Sequence, residues 1–369
     1  MNRRIKKVAV LGSGIMGAGI ACHFANIGVE VLLLDIVPKE PNELEKKKGL
    51  DTTHPVVRNR IVTTNLTTAI KSKPAPLYHP NFNANIQTGN FEDDMPKLSE
   101  VDWIIEVVVE RMDIKKLVFE QVEQHRTLGT LVSSNTSGIP IKFMNEGRSK
   151  DFQEHFTVTH FFNPPRYLKL FEVVPGPSCK PEVVDFLMDY GTRFLGKSAV
   201  LAKDTPAFIG NRIGIFCIQS LFHQMKPMGL TVEEVDKLTG PVMGRPKSAT
   251  FRTVDVVGLD TLVHVAKGLH DNCPDDERRD NFILPDFIQK MIDEQWLGSK
   301  SGQGFYKKIK TKEGKSEIQV LDLETMTYRS KKKVSFATLE KTKTVERVAD
   351  RFQILISGTD KAAKFYRTV

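Results

Sequence analysis

The sequence predicts an α/β domain built on a mostly parallel sheet, followed by a domain made of α-helices. Three observations carry this. A short apolar strand, a glycine-rich turn, a helix-periodic stretch and a second strand follow one another within the first 35 residues. Apolar runs of strand length then alternate with helix-periodic stretches as far as Leu201. Beyond Asp204-Thr205-Pro206 the apolar spacing is helical almost throughout. With 369 residues the chain also exceeds one ordinary core, so at least two domains are expected.

Residues 7–11 (KVAVL) form the first strand, and Gly12-Ser13-Gly14-Ile15-Met16-Gly17 follows it directly. Ile15, Met16, Ile20, Ala21, Phe24 and Ala25 recur at helical spacing until Gly28 ends the helix. Residues 29–34 make the next strand, which closes on Asp35. Strand, G-x-G-x-x-G, helix, strand and acid in that order are the dinucleotide-binding fingerprint of a Rossmann-like domain. Gly12 permits the tight turn, Gly14 lets the backbone approach a pyrophosphate, and Gly17 lets helix and strand pack closely. The helix N-terminus, from Ile15 and Met16, supplies N–H donors and partial positive charge. Asp35 would accept from the ribose hydroxyls and repel a 2′-phosphate, which favours NAD over NADP.

Residues 39–85 read as a helical insertion that would project from the sheet as an arm. Its helices are expected at 43–48 and 57–70, and Arg58 and Arg60 are among the cations placed to meet a phosphorylated substrate. An ordinary solvated basic helix pair is the plainer alternative. Strands resume at 86–88 and at 103–109 (WIIEVVV), a run apolar enough to be covered on both faces. Val109 and Glu110 then stand at the carboxyl edge of the sheet, with Lys115 at the start of the next helix. The strand 131–134 runs into Asn135-Thr136-Ser137-Gly138. A helix over 181–195 and a strand over 198–201 complete the domain near Lys203.

The segment 159–175 (THFFNPPRYLKLFEVVP) carries one polar residue in each of two apolar runs. His160 lies in the strand 157–162, which stops at Asn163-Pro164-Pro165. Glu172 lies in the strand 170–174. An unpaired buried polar group costs roughly 1–3 kcal/mol, so each is expected to be the other's partner. A carboxylate on one imidazole nitrogen gives the fixed tautomer and raised basicity of a general base. A structural histidine satisfied by a carboxylate fits the same residues. Asp35, Glu110, Asn135, Ser137 and His160 all arrive at one sheet edge, and that convergence favours the catalytic reading.

In the second domain Thr205 is expected as N-cap and Pro206 as the first residue of a long helix that carries Asn211 in its apolar stripe. Thr231-Val232-Glu233-Glu234 has capping-box spacing. Helices are expected at 258–268 and 285–296, a glycine-rich turn at 298–305, and a hairpin within 309–329 around Glu313-Gly314-Lys315. The expected organisation is therefore 1–203, 204–308 and 309–369, the last a hairpin and the start of a second helical repeat.

Composition narrows the function classes. A formal net charge of +8 suits anionic partners, yet much of it lies in lysines near the C-terminus, among them Lys312 and Lys331–Lys333. No interleaved aromatics support nucleic-acid binding. Cys22, Cys179, Cys217 and Cys273 form no C-x-x-C pair, which argues against zinc and a disulfide framework and for a reducing, cytoplasmic setting. No apolar run reaches ~18 residues and Asn2-Arg3-Arg4 passes at once into a strand, so neither a membrane span nor a signal peptide is expected.

With GSGIMGAGIA, the VVE of 108–110, SNTSGIP, THFFNPP with LFEVVPG, and DTPAFIGNRI on the page, the chain resembles the L-3-hydroxyacyl-CoA dehydrogenase family of β-oxidation. The resemblance spans about residues 6–308. It implies oxidation of an L-3-hydroxyacyl-CoA to the 3-ketoacyl-CoA, with hydride passing to NAD. It implies His160 as catalytic base with Glu172 as its partner, and Ser137 and Asn211 at the reacting oxygen. It also implies that Ile15, Met16, Asp35, Val109, Glu110, Lys115, Asn135, Ser137 and Asn163 line the NAD site. Residues beyond 310 extend the resemblance to fused dehydrogenase/enoyl-CoA hydratase proteins, and a helical domain of this kind is expected to form a homodimer. Two departures stand out: Arg111 replaces a small polar residue after Glu110, and GRPKSATFR (244–252) is more basic than the family's apolar GxPMGPF. The rivals are a dehydrogenase of a small β-hydroxy acid and a catalytically silent NAD-binding protein. Against the first, Asn211 and Arg212 stand where such families carry a lysine.

Overall fold

Alternation along each strand builds the first unit, because successive side chains point to opposite faces of a sheet. The computed structural model describes residues 3–311 and 314–369. Eight strands, β1 (Lys7–Leu11), β2 (Glu30–Asp35), β3 (Ile86–Asn90), β4 (Trp103–Glu106), β5 (Leu131–Ser134), β6 (Phe156–Phe161), β7 (Leu170–Pro175) and β8 (Ser198–Leu201), form one sheet. Their order is β3-β2-β1-β4-β5-β6-β7-β8, and every pairing is parallel except β6 with β7. Val8 and Val10 enter the core on one face with Phe24, Trp103 and Tyr190. Ala9 and Leu11 enter the other with Phe119, Phe152 and Phe156. Trp103 is wholly buried, and its Nε1–H donates to Ser133 Oγ at 2.9 Å, so no polar atom is stranded by the burial.

The chain divides into two compact units, one ending at Ile209 and the other running from Gly210 to Val369. In the inserted stretch, helices span Glu43–Lys47, Pro55–Arg58 and Arg60–Ile70. The last does not project freely, because Val62 and Leu66 are buried in the core beside Val31 and Leu33. Arg58 is held by Asp93 and Glu92 at 2.7 Å each, and Arg60 by Glu45, so these two cations are spent within the unit.

Two expected boundaries move for electrostatic reasons. Strand β4 stops at Glu106 rather than Val109, because the buried Glu106 carboxylate takes the Val108 N–H at 2.7 Å and turns the chain out of the ladder. The long helix begins at Gly210, not at Pro206 with a Thr205 cap. Ala207 and Phe208 have φ of 58° and 49°, outside any right-handed helix, and the Ile209 N–H goes to the Glu172 carboxylate at 2.9 Å.

The second unit is helical as far as Phe305, through Gly210–Met225, Val232–Thr239, Phe251–Val257, Leu259–Asn272 and Asp286–Asp293. Thr231 and Glu234 form the expected capping box, with the Thr231 N–H on Glu234 Oε2 at 2.8 Å. In the glycine-rich turn, Gly298 has φ of 100°, and a Cβ there would lie 2.3 Å from Asp255 O. The hairpin expected within 309–329 is formed by the antiparallel strands β9 (Tyr306–Lys310) and β10 (Ser316–Asp322), and β11 (Thr327–Ser330) extends it to a three-stranded antiparallel sheet. Lys312 and Glu313 lie outside the described residues. Helices Ala337–Glu340, Val348–Ser357 and Lys361–Thr368 close the unit. One apolar core gathers Phe222, Phe251 and Phe305 with Val320, Leu355 and Phe365, so residues on both sides of 308 share it.

Candidate active site

Strands β1, β2, β4, β5 and β6 are parallel, so their carboxyl ends share one edge, and the order reverses between β1 and β4 where open α/β sheets bind ligands. The glycine turn opens that edge. Gly12 has φ of 104°, and a Cβ on it would meet Val107 O at 2.6 Å. A Cβ on Gly17 would sit 1.8 Å from Gly12 O, so the helix can approach the turn only with glycine there. Around Gly14 the space within 4 Å of such a Cβ is empty. The helix Ile15–Asn26 has no side-chain cap, which leaves its first-turn N–H groups, Met16 among them, directed at the opening. Ile15 is exposed.

Asp35 ends β2 with both oxygens held. Its Oδ2 accepts from Ser13 N at 2.7 Å and Ser13 Oγ at 2.5 Å, and its Oδ1 accepts from Ile36 N at 2.7 Å. Asn65, on the inserted helix, donates to Ser13 Oγ at 3.0 Å. Each carboxylate oxygen has two lone pairs, so capacity remains for an incoming hydroxyl.

Beneath the loop after β4 lies a buried ion pair. Lys115 Nζ reaches Glu106 Oε1 and Oε2 at 2.8 and 2.9 Å, with both side chains almost wholly buried. Ser134 Oγ donates to Glu106 Oε2 at 2.6 Å. Lys115 also faces Glu110 Oε2 at 3.3 Å. Glu110 Oε1 accepts the Thr136 hydroxyl and, at 3.0 Å, the Ser137 N–H. Together these bonds pin the exposed loop of Val109 and Glu110 to the start of the loop after β5. The Ser137 side chain is exposed, and its hydroxyl has no partner among the described residues. Asn135 is tied to β6, its Oδ1 accepting the Phe161 N–H at 2.8 Å.

Antiparallel pairing of β6 and β7 puts His160 directly opposite Glu172. His160 Nδ1 and Glu172 Oε2 are 2.6 Å apart. Glu172 is fully buried, and its Oε1 takes the Ile209 N–H at 2.9 Å. An ionised carboxylate only accepts, so the neutral imidazole carries its proton on Nδ1 and its lone pair on Nε2. No described residue hydrogen-bonds Nε2. The ring lies between Phe162 and Phe208, with centroids 4.4 and 5.7 Å away, which fixes its plane. Asn163 follows at the same edge, exposed, before a cis peptide to Pro164. Asn211 stands in the first turn of Gly210–Met225 in the second unit.

Comparison with known proteins now bears on this geometry. The NAD binding domain of 3-hydroxyacyl-CoA dehydrogenase matches residues 7–205, and the C-terminal domain of the same family matches residues 208–308. The chain belongs to the 3-hydroxyacyl-CoA dehydrogenase family. It is 49% identical to a probable 3-hydroxyacyl-CoA dehydrogenase of Bacillus subtilis over 99% of its own length and 45% of that relative. A probable 3-hydroxyacyl-CoA dehydrogenase of Deinococcus radiodurans is 44% identical, over 83% of this chain and 84% of the relative. Among solved structures, M. tuberculosis FadB2 aligns at a TM-score of 0.66 and 26% identity, over 83% of this chain and 99% of that one. The chain thus spans about half the length of the Bacillus relative.

The residues present fit the family's NAD. The empty space at Gly14, the uncapped helix N-terminus and the carboxylate at the end of β2 match pyrophosphate and ribose in the order the fingerprint requires. Five members of the network were not foreseen as site residues: Ser13, Asn65, Glu106, Ser134 and Thr136. Glu106 had a signal, since an acid inside WIIEVVV demands a partner by the same reasoning that paired His160 with Glu172. Arg111, one of the two departures, donates to Asp113 from an exposed position. No described helix is long and apolar enough to cross a membrane.

Proposed function

We propose that the chain catalyses NAD-dependent oxidation of an L-3-hydroxyacyl-CoA to the 3-ketoacyl-CoA, a step of fatty acid β-oxidation, with His160 as general base. The observation that carries this reading is the 2.6 Å bond between His160 Nδ1 and a fully buried Glu172, which leaves Nε2 with a lone pair at the ligand edge of the sheet. NAD, when bound, takes up the hydride released from C3. His160 Nε2 receives the proton of the 3-hydroxyl, and Glu172 stabilises the imidazolium that results, with force because neither group is exposed to water. Ser137 donates its free hydroxyl to the oxygen on which charge develops. Asn211 has the role the resemblance implies, a second donor to that oxygen.

Asp35 would hold the adenosine ribose, and the N–H groups at Ile15 and Met16 would receive the pyrophosphate past Gly12, Gly14 and Gly17. Val109, Glu110, Asn135, Ser137 and Asn163 would line the nicotinamide end, and Lys115 keeps Glu110 in place. The test is NADH oxidation with acetoacetyl-CoA and with a long-chain 3-ketoacyl-CoA, and a protein that binds NADH but turns over neither would sink the reading.

The further readings are a cytoplasmic homodimer that associates with an enoyl-CoA hydratase. The unpaired state of Cys22, Cys179, Cys217 and Cys273 supports the compartment, and the doubled length of the Bacillus relative supports a larger assembly. A concentration-independent monomer in sedimentation, alone and with the hydratase added, would count against both associations.

A further inference from the structure

The second unit contains a cleft of about 1200 Å³ that the chemistry above leaves unused. One wall comes from the stretch between Glu233 and Arg252. The other comes from the stretch between Lys331 and Arg351, beyond the residues 208–308 that the family's C-terminal domain covers. The walls are stitched together: Arg351 donates to Pro241 O at 2.9 Å and Val242 O at 3.2 Å, and the Lys332 N–H reaches Glu233 Oε1 at 3.4 Å. Val242, Val334, Leu339 and Val345 supply an apolar floor.

The charges around this cleft do not cancel. Lys237, Lys247 and Arg252 are exposed on the first wall, and Lys331, Lys332 and Lys333 on the second. Most of the lining carboxylates are already engaged. Glu233 takes Arg329 at 2.6 and 3.2 Å. Asp236 takes the Phe251 N–H at 2.6 Å and the Tyr306 hydroxyl at 2.8 Å. Glu340 takes Lys343. Glu346 is the lining acid without such a partner among the described residues. By contrast, Arg252 meets a carboxylate only at 3.9 Å, and Lys331 lies over the Tyr306 ring at 5.7 Å. The ammonium groups of Lys237, Lys247, Lys332 and Lys333 have no ion-pair partner among the described residues. Low-dielectric walls lined by one sign of charge focus the potential into the cleft.

We infer that this cleft is a binding site for a small, multiply phosphorylated molecule with an apolar body, a phosphorylated nucleotide. The volume is of the order that encloses a small ligand, roughly 300–1,000 Å³ in typical sites. Lysine ammonium groups serve phosphate as point charges. Free cations stand on both walls across an apolar floor, and a bare phosphate leaves that floor uncovered. A nucleotide adds to its phosphate groups a flat base that covers the floor. Such a nucleotide could be free or the nucleotide end of a coenzyme A ester.

The experiment is calorimetric titration of the full chain, with its dinucleotide site saturated by NADH, using ATP, coenzyme A and inorganic pyrophosphate. Wild type should bind ATP or coenzyme A more tightly than pyrophosphate. The triple variant Lys331→Ala/Lys332→Ala/Lys333→Ala should lose about tenfold or more, as should Lys237→Ala, with NADH affinity and melting temperature unchanged because these side chains are exposed. Tighter coenzyme A than ATP identifies the ester as the source, and the reverse identifies a free nucleotide. Equal affinity in wild type and both variants would overturn the site. Pyrophosphate binding as tightly as both ATP and coenzyme A would overturn the nucleotide class, as would tighter, lysine-dependent binding of duplex DNA or anionic vesicles.

Discussion

Replacing Glu172 by glutamine separates the two roles that the buried carboxylate could serve. Glu172 accepts hydrogen bonds on both of its oxygens, among them from His160 Nδ1 at 2.6 Å and from Ile209 N at 2.9 Å. A glutamine has one accepting end and one donating end. With its oxygen towards His160, its NH₂ group confronts the Ile209 N–H, and a buried donor loses its acceptor. Turned the other way, it forces the imidazole proton onto Nε2 and removes the lone pair that catalysis needs. The first orientation should cost about 1–3 kcal/mol of stability, visible as a lower melting temperature, whereas the second keeps both bonds and sacrifices only the tautomer. Turnover should also fall by ~10²–10⁴, the usual size of a general-base contribution, with NADH affinity little changed. Steady-state kinetics beside thermal melts read both quantities. If the protein is destabilised as expected while turnover stays within tenfold of wild type, Glu172 satisfies a structural histidine and the catalytic reasoning fails.

Three other outcomes follow from the same structure. Lys115→Met should destabilise the first unit by about 3–5 kcal/mol by leaving Glu106 charged and buried, and Glu106→Gln in the same chain should recover much of it; a melting temperature within a degree of wild type would refute this. Burial, with Lys197 nearby, pushes the His23 imidazole down to about 4 from 6.5, so between those values the unfolded chain binds the extra proton and stability falls as the solution is acidified. That difference is worth about 3 kcal/mol, and His23→Gln should flatten denaturant midpoints measured between pH 6.5 and 4 relative to wild type. NAD should be preferred to NADP by about thirtyfold, some 2 kcal/mol of repulsion from Asp35, and equal kcat/KM for the two cofactors would contradict it.

Much of the first unit was legible because its signals are local. The G-x-G-x-x-G turn, Asp35 and the facing His160 and Glu172 each follow from neighbours in sequence or from one strand pairing. What escaped depends on contacts made across the chain. The Thr205-Pro206 signal describes a good helix start, yet a carboxylate 37 residues earlier claims the Ile209 N–H and postpones the helix to Gly210. WIIEVVV reads as one strand by composition, and only the bond from the Val108 N–H to the buried Glu106 carboxylate explains why it stops half-way. Ser13 occupies a variable position of the fingerprint, so nothing in the motif announces its two bonds to Asp35. Residues 306–330 alternate weakly because β9 and β11 are edge strands of a small sheet, β9 giving the core only Tyr306 while β10 gives it Val320 and Leu321.

The central claim is that His160 moves the proton of a 3-hydroxyacyl-CoA. The most direct measurement is NADH oxidation by acetoacetyl-CoA with wild type and His160→Gln side by side, each checked for folding and for NADH binding. The account predicts turnover by wild type and a loss of at least ~10²-fold in the variant, with NADH affinity retained. Turnover within tenfold of wild type, in a folded variant that still binds NADH, would contradict it.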